Sequence, residues 1–188
     1  MRVAIQLFLI FVTLGCENRN SKEDREHELY FSSGELALKG NLRDGNKVGL
    51  WEEFYPSGQL YRRVNYDSEL EKYPKRRQQF SNEGNLEYDS SLERIGNGHY
   101  LYLENQYFDN GEIEYEEKVE IIIDDIDEVG LIREEFSSLK KFRLNGKLVW
   151  ERRFKNDVLK EQDWYDEDGS FVGKLVYTGG EIEMHFDK

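Results

Sequence analysis

Residues 44–60 read DGNKVGLWEEFYPSGQL. Gly45 and Gly58 sit in Asp-Gly and Pro-Ser-Gly contexts, which favour tight turns because their residues accept the backbone angles a reversal needs. Between the turns lie Trp51, Phe54 and Tyr55, a large apolar area in a short segment. Gly49 stands at the entry of this segment, where a glycine marks a bulge or a close backbone approach. The stretch predicts two strands joined through Gly58, with rings filling the space between successive turns.

The same signature recurs. Tyr30, Gly34 and Leu36 keep the spacing of Phe54, Gly58 and Leu60, and so do Phe80, Gly84 and Leu86. Tyr107, Gly111 and Ile113 follow, then Phe142, Gly146 and Leu148, then Tyr165, Gly169 and Phe171. A shortened copy, Tyr177, Gly180 and Ile182, closes the series. The glycine intervals are 24, 26, 27, 35, 23 and 11 residues, a period that signals a repeat architecture. After each glycine the even positions are mostly apolar: Leu36, Leu38, Gly40 and Leu42 after Gly34, and Leu148, Trp150, Arg152 and Phe154 after Gly146. The positions between them are mostly charged. Period two means strands with one buried face. Each unit is therefore a hairpin, and hairpins stacked in series shelter one another where one alone is marginal.

Composition sets the limits. Of 188 residues 38% are hydrophobic and 35% charged, with a mean hydropathy of -0.81, so a thick core is out of reach. Aromatic residues reach 14%, more than a disordered chain carries. Rings spread among charges suit a thin structure with much surface. The formal charge of -13 repels phosphate backbones and anionic headgroups, which excludes nucleic acid as a partner.

Residues 1–16, MRVAIQLFLIFVTLGC, have one Arg and then an apolar run too short to span a bilayer. They read as a secretory signal helix. Its end, TLGC, resembles the lipobox of bacterial lipoproteins. That resemblance implies cleavage between Gly15 and Cys16 and a lipid on Cys16, the sole cysteine of the chain. The expected organisation is a signal peptide over 1–15, a lipidated Cys and flexible charged tether over 16–29, and a repeat domain over 30–188. A lipid anchor places the protein in the cell envelope, on the periplasmic or surface face of an outer membrane, with the membrane as one partner.

The unit DGNKVGLWEEFYPSGQLYRRVNY is similar to a variant of the MORN repeat, which runs approximately Gly-x-x-x-Gly-x-Trp-x-x-Tyr-x-x-x-Gly-x-Leu. Gly45, Gly49, Trp51, Phe54 or Tyr55, Gly58 and Leu60 carry the match, with a second at Gly146, Leu148, Trp164, Tyr165, Gly169 and Phe171. The resemblance implies an all-β chain folded as an elongated single-layer antiparallel sheet of stacked hairpins. It also implies a binding or scaffolding role, and in some relatives an antitoxin-like one.

Catalytic signatures are weak. His27-Glu28 begins like a zinc-protease helix, but Phe31 occupies the place of the second His. Asp124, Asp125, Asp127 and Glu128 lack the loop spacing of a calcium site and read as an acidic turn. Gly96-Asn97-Gly98 reads as a turn, without the Lys of a phosphate loop. His99 and His185 stand far apart in strand-like runs. No catalytic residue, metal or cofactor is expected. Trp51, Tyr55, Trp150 and Trp164 either fill the spaces between hairpins or stand exposed, where they would stack on sugar rings or anchor a peptide. Open sheet ends also invite strand addition. The expected function is a non-catalytic, envelope-anchored module binding a protein partner. The alternatives are an envelope enzyme with its site in the 114–135 insertion, a glycan- or peptide-binding protein, and an antitoxin-like protein.

Overall fold

The structure, a computed structural model, describes residues 24–66, 74–123, 132–156 and 158–187. The signal and most of the tether lie outside the described residues. The described residues form thirteen strands in one antiparallel sheet whose spatial order is the order of the sequence. They run β1 Arg25–Tyr30, β2 Leu36–Arg43, β3 Asn46–Phe54, β4 Leu60–Tyr66, β5 Pro74–Phe80, β6 Leu86–Arg94 and β7 His99–Tyr107. Then follow β8 Ile113–Ile123, β9 Ile132–Phe142, β10 Leu148–Lys155, β11 Val158–Tyr165, β12 Phe171–Thr178 and β13 Glu181–Phe186. Each strand contacts only its neighbours in sequence, so the sheet is a single open layer. No helix among the described residues is long and apolar enough to cross a membrane.

One margin of the sheet carries six turns of identical build. In each, the residue after the strand-ending position of β1, β3, β5, β7, β9 and β11 donates its N–H to the carbonyl four residues on. The glycine three residues on donates back to that residue's carbonyl, all at 2.8 to 3.1 Å. Gly34, Gly58, Gly84, Gly111, Gly146 and Gly169 hold φ between +74° and +100°, the left-handed region where a side chain would be strained. The return strand then bulges by one residue, at Ala37, Tyr61, Glu87, Glu114, Val149 and Val172, which the pairing skips. A type I turn closed by a left-handed glycine and a bulge is the preferred three-residue hairpin loop. The repeat of the sequence is this turn.

The other margin is irregular. Asp44-Gly45 joins β2 to β3, residues 95–98 join β6 to β7, and Gly179-Gly180 joins β12 to β13. Gly180 thus turns the chain at the margin opposite to the six repeat glycines. Its neighbours Tyr177 and Ile182 pair directly with no bulge, so this copy of the sequence pattern has a different structural role. The extra sequence between Gly111 and Gly146 lengthens β8 and β9 to 11 residues each, and residues 124–131, the acidic turn included, lie outside the described residues.

Strand β1 begins at Arg25, five residues before the expected start of the repeat domain at Tyr30. The expected tether is therefore strand from Arg25 to Leu29. Leu29 pairs with Leu38, while the charges of Glu26 and Glu28 stand on the outermost strand, where one side needs no cover. His27 and Glu28 are part of this strand, which replaces the helix a zinc-protease motif requires.

Among the described residues no core in the usual sense exists. The most enclosed apolar side chains, Tyr100 and Trp51, keep 2% and 3% exposure, and none of the described side chains is wholly enclosed.

Candidate functional site

Register assigns every strand residue to one of two faces. One face follows Trp51, Val64, Arg77, Ser90 and Glu104 across successive strands, then Glu117, Leu139, Arg152, Gln162 and Leu175. We term it the ring face for its tyrosines and tryptophans. The opposite face follows Lys39, Glu52, Arg63, Gln78 and Asp89, then Asn105, Glu116, Lys140, Glu151, Asp163 and Lys174. This charge face holds no apolar side chain in that row.

Trp51 is placed by its neighbours. A positive φ of 64° at Gly49 bulges β3, and the ring then lies flat against Gly40 of β2. A Cβ on Gly40 would stand 2.2 Å from Trp51 Cδ2, so only glycine fits. The indole N–H donates to the Asn41 carbonyl at 3.1 Å, and the Lys47 ammonium sits 4.4 Å from the ring centre. Trp51 therefore packs the sheet and offers no ring to a ligand. Tyr55 sits at the repeat margin, where its hydroxyl donates to the Phe80 carbonyl of the next unit at 2.9 Å and its ring meets Tyr61 at 5.0 Å. It ties adjacent hairpins together.

Trp150 and Trp164 are different. They are direct cross-strand partners on β10 and β11, both half-buried. Tyr115 of β8 approaches Trp150 at 6.4 Å, and Lys141 of β9 lies between them in register. Lys141 donates to the Tyr115 hydroxyl at 2.7 Å, and the Arg152 guanidinium stands 4.5 Å from the Trp150 ring centre. The row continues to Gly173 and Phe186, whose ring covers that glycine. From Tyr115 to Phe186 the row crosses six strands, roughly 24 Å at the usual strand spacing. Rings with cations over or beside them form a strip that can stack on a flat ligand or pack against a partner's apolar side chains. The four sequence candidates thus split: Trp51 is buried, Tyr55 is half-buried and tied to the next hairpin, and Trp150 and Trp164 belong to one half-buried strip.

A second cluster lies beside the strip. Glu104 of β7 and Glu117 of β8 are directly opposed on the ring face. Tyr88 donates to Glu104 Oε2 at 2.8 Å and Tyr102 donates to the same oxygen. Burial, then the charge of Glu104, pushes the Glu117 carboxyl above its ordinary range. Burial and the bond to Glu104 keep Tyr102 firmly protonated. Two carboxylates in unlike surroundings are the usual raw material of acid–base chemistry. Here Tyr88 and Tyr102 gather on Glu104 and tie β6 to β7, while the half-buried Glu117 of β8 faces Glu104 as a like charge. Sequence reasoning missed this pair. Each glutamate falls in the even-position series after a repeat glycine or its partner strand, but their opposition depends on register.

On the charge face Arg153 bridges Glu151, Glu161 and Asp163 at 2.7 to 2.9 Å, and Lys174 adds contacts to Glu161 and Asp163 at 3.3 and 3.7 Å. Asp163 is 7% exposed and its Oδ1 lacks a hydrogen bond. Among the described residues no three His, Cys, Asp or Glu side chains gather as a metal would need. His99 and His185 are both exposed strand residues. No protein-family model matches the chain, and no curated protein matches it.

Proposed function

We propose that this chain is a MORN-like repeat lipoprotein of the cell envelope, tethered through lipid on Cys16, whose sheet is a non-catalytic platform for a protein partner. The open single layer is the observation that supports the platform: among the described residues it offers two faces and two outer strands for contact, and its half-buried rings lie in one row. The apolar run ending in Gly15-Cys16 supports the anchor. Several acyl chains on one cysteine would hold durably, since each buried CH2 contributes about 0.8 kcal/mol.

Two measurements test this. Radiolabelled palmitate should enter the wild-type chain and not Cys16→Ser. A chain with no label is not a lipoprotein, and the cytoplasmic, antitoxin-like reading then takes its place. A photo-crosslinking residue at Trp164 should trap one protein partner in cells. A glycan is the second reading, favoured by the strip of Tyr115, Trp150 and Trp164. It replaces the first if Trp164→Ala abolishes binding to an envelope polysaccharide while the crosslinker traps no protein.

A further inference from the structure

The two outer strands among the described residues are unlike. Strand β1 presents Arg25, Glu26, His27 and Glu28, a run of charges of the kind that discourages strand pairing. Strand β13 alternates: Ile182, Met184 and Phe186 stand on the ring face at 59%, 66% and 69% exposure, and Glu181, Glu183 and His185 on the charge face. Six residues of regular strand with three large exposed apolar side chains are a template for another strand.

The backbone of β13 shows which groups are available. The Asp187 N–H donates to the Val172 carbonyl at 3.1 Å. In an antiparallel ladder the residues bonded to one neighbour alternate with those pointing away. Glu183 and His185 therefore bond to β12, and the N–H and C=O groups of Ile182, Met184 and Phe186 point outward from the sheet.

The charge face shows what the missing neighbour should carry. On this face several acids are met by a base from an adjacent strand: Glu52 by Arg63 at 2.9 Å, Asp89 by Arg76 at 2.9 Å, Glu116 by Lys140 at 2.5 Å. Lys174 of β12 turns toward Glu161 and Asp163 of β11, away from β13. Glu183 is left with His185 of its own strand at 3.5 Å, and among the described residues no cation reaches Glu181. A basic neighbour would complement these two acids as Arg63, Arg76 and Lys140 complement theirs.

We infer that β13 is a docking edge for an extended segment of a partner protein that alternates apolar and basic residues. The segment adds as a fourteenth strand, with its apolar side chains beside Ile182, Met184 and Phe186 and its Lys or Arg side chains beside Glu181 and Glu183. A second copy of this chain fits less well, since each copy brings a net charge of -13 and an acidic β13. This inference rests on the platform reading and names one docking surface for its partner.

The test uses the full chain in detergent and a synthetic octapeptide alternating Lys and Val, with amide exchange read by NMR. Bound peptide should slow exchange at Ile182, Met184 and Phe186 at least tenfold and leave Glu183 and His185 unchanged. Binding should weaken at least tenfold in Met184→Lys and when Glu replaces Lys in the peptide, and vanish when the valine amides are N-methylated. Equal binding of the Glu peptide or of the N-methylated peptide overturns the proposal. So does absence of binding, and so does protection of the same three amides that grows with protein concentration alone, which would assign the edge to a second copy. A failed peptide experiment beside a positive crosslink at Trp164 removes this edge and leaves the platform reading standing. Failure of the crosslink and palmitate experiments removes that reading instead.

Discussion

Trp51 lies flat on Gly40 with 3% of its surface exposed, and directly behind it, on the charge face, Glu52 is held between Lys39 and Arg63 at 3.0 and 2.9 Å. The two residues are adjacent in sequence and sit in the same strand, yet they hold it by different means. On the ring face stabilisation is concentrated: Trp51 on Gly40 near one end and Leu92 with Tyr100 in the middle. On the charge face it is spread over many ion pairs, most of them solvent-exposed and individually worth no more than about 1 kcal/mol. A chain only 38% hydrophobic can build thirteen strands because it needs few apolar anchors and fills the rest with cross-strand charge. Stability should then be patchy along the sheet, because each strand touches only its neighbours.

The largest effect should come from an anchor on the ring face. Trp51→Ala should cost about 3 kcal/mol, the low end for loss of a buried tryptophan. The loss should be local: amide exchange should accelerate in β1–β4 while β9–β13 keep their protection. Gly40→Val should speed exchange in the same strands, since a Cβ there meets the indole. Uniform acceleration across all thirteen strands would mean that the sheet opens as one unit and that the patchy picture is wrong.

An intermediate effect belongs to the charge face. Arg153→Met removes three carboxylate contacts and leaves Asp163, 7% exposed, facing Lys174 alone. The cost should be about 1.5–3 kcal/mol, as for hydrogen bonds to charged groups. The exposed pair Arg76–Asp89 has similar geometry at 2.9 Å, and Arg76→Met should cost less than about 0.5 kcal/mol. Urea denaturation of the two variants separates geometry from burial. Equal costs would show that burial does not govern the worth of pairs on this face.

Much of the ring face was legible in the order of the residues. The even positions after each repeat glycine, such as Arg62 and Val64 or Tyr115, Glu117 and Val119, do share one face, because a fixed turn and a fixed bulge leave each return strand in the same phase. The repeat margin was legible for the same reason. The other margin was not: its loops differ in length, so Gly180 resembled a repeat glycine while turning the chain at the opposite margin. Strand β1 was hidden because charges on an outermost strand look like a polar tether. The fate of Trp51 depended on Gly40, one strand away, and the approach of a ring to a glycine across a register leaves no local mark. Charge pairing was illegible throughout, since charged positions in a strand read only as solvent-facing until their cross-strand partners are known.

The last effect should carry the opposite sign, and it puts the contrast between faces on a pH axis. The Glu117 carboxyl is raised by burial and by Glu104, so the fold disfavours its ionised form. An unfolded glutamate ionises near pH 4.3. The stability Glu117 contributes is therefore full below that pH and is lost as pH rises through its raised value. Glu52 behaves in reverse: burial pushes it up, but hydrogen bonds from Lys39 and Arg63 outweigh burial and lower it. Its contribution is present above the unfolded value and is lost as pH falls through the lowered one. Glu117→Gln should stabilise the protein at pH 7 by a few tenths to about 1 kcal/mol, the worth of a directly opposed like-charge pair, and the gain should fade below about pH 4. Glu52→Gln should destabilise at pH 7, by less than about 1 kcal/mol after solvent screening, and the cost should shrink as pH falls through the lowered value. Urea midpoints followed down from pH 7 give the two signs. If Glu117→Gln destabilises at pH 7, its ionised carboxylate makes favourable contacts on the ring face, and the division of labour between the faces breaks down at β7 and β8.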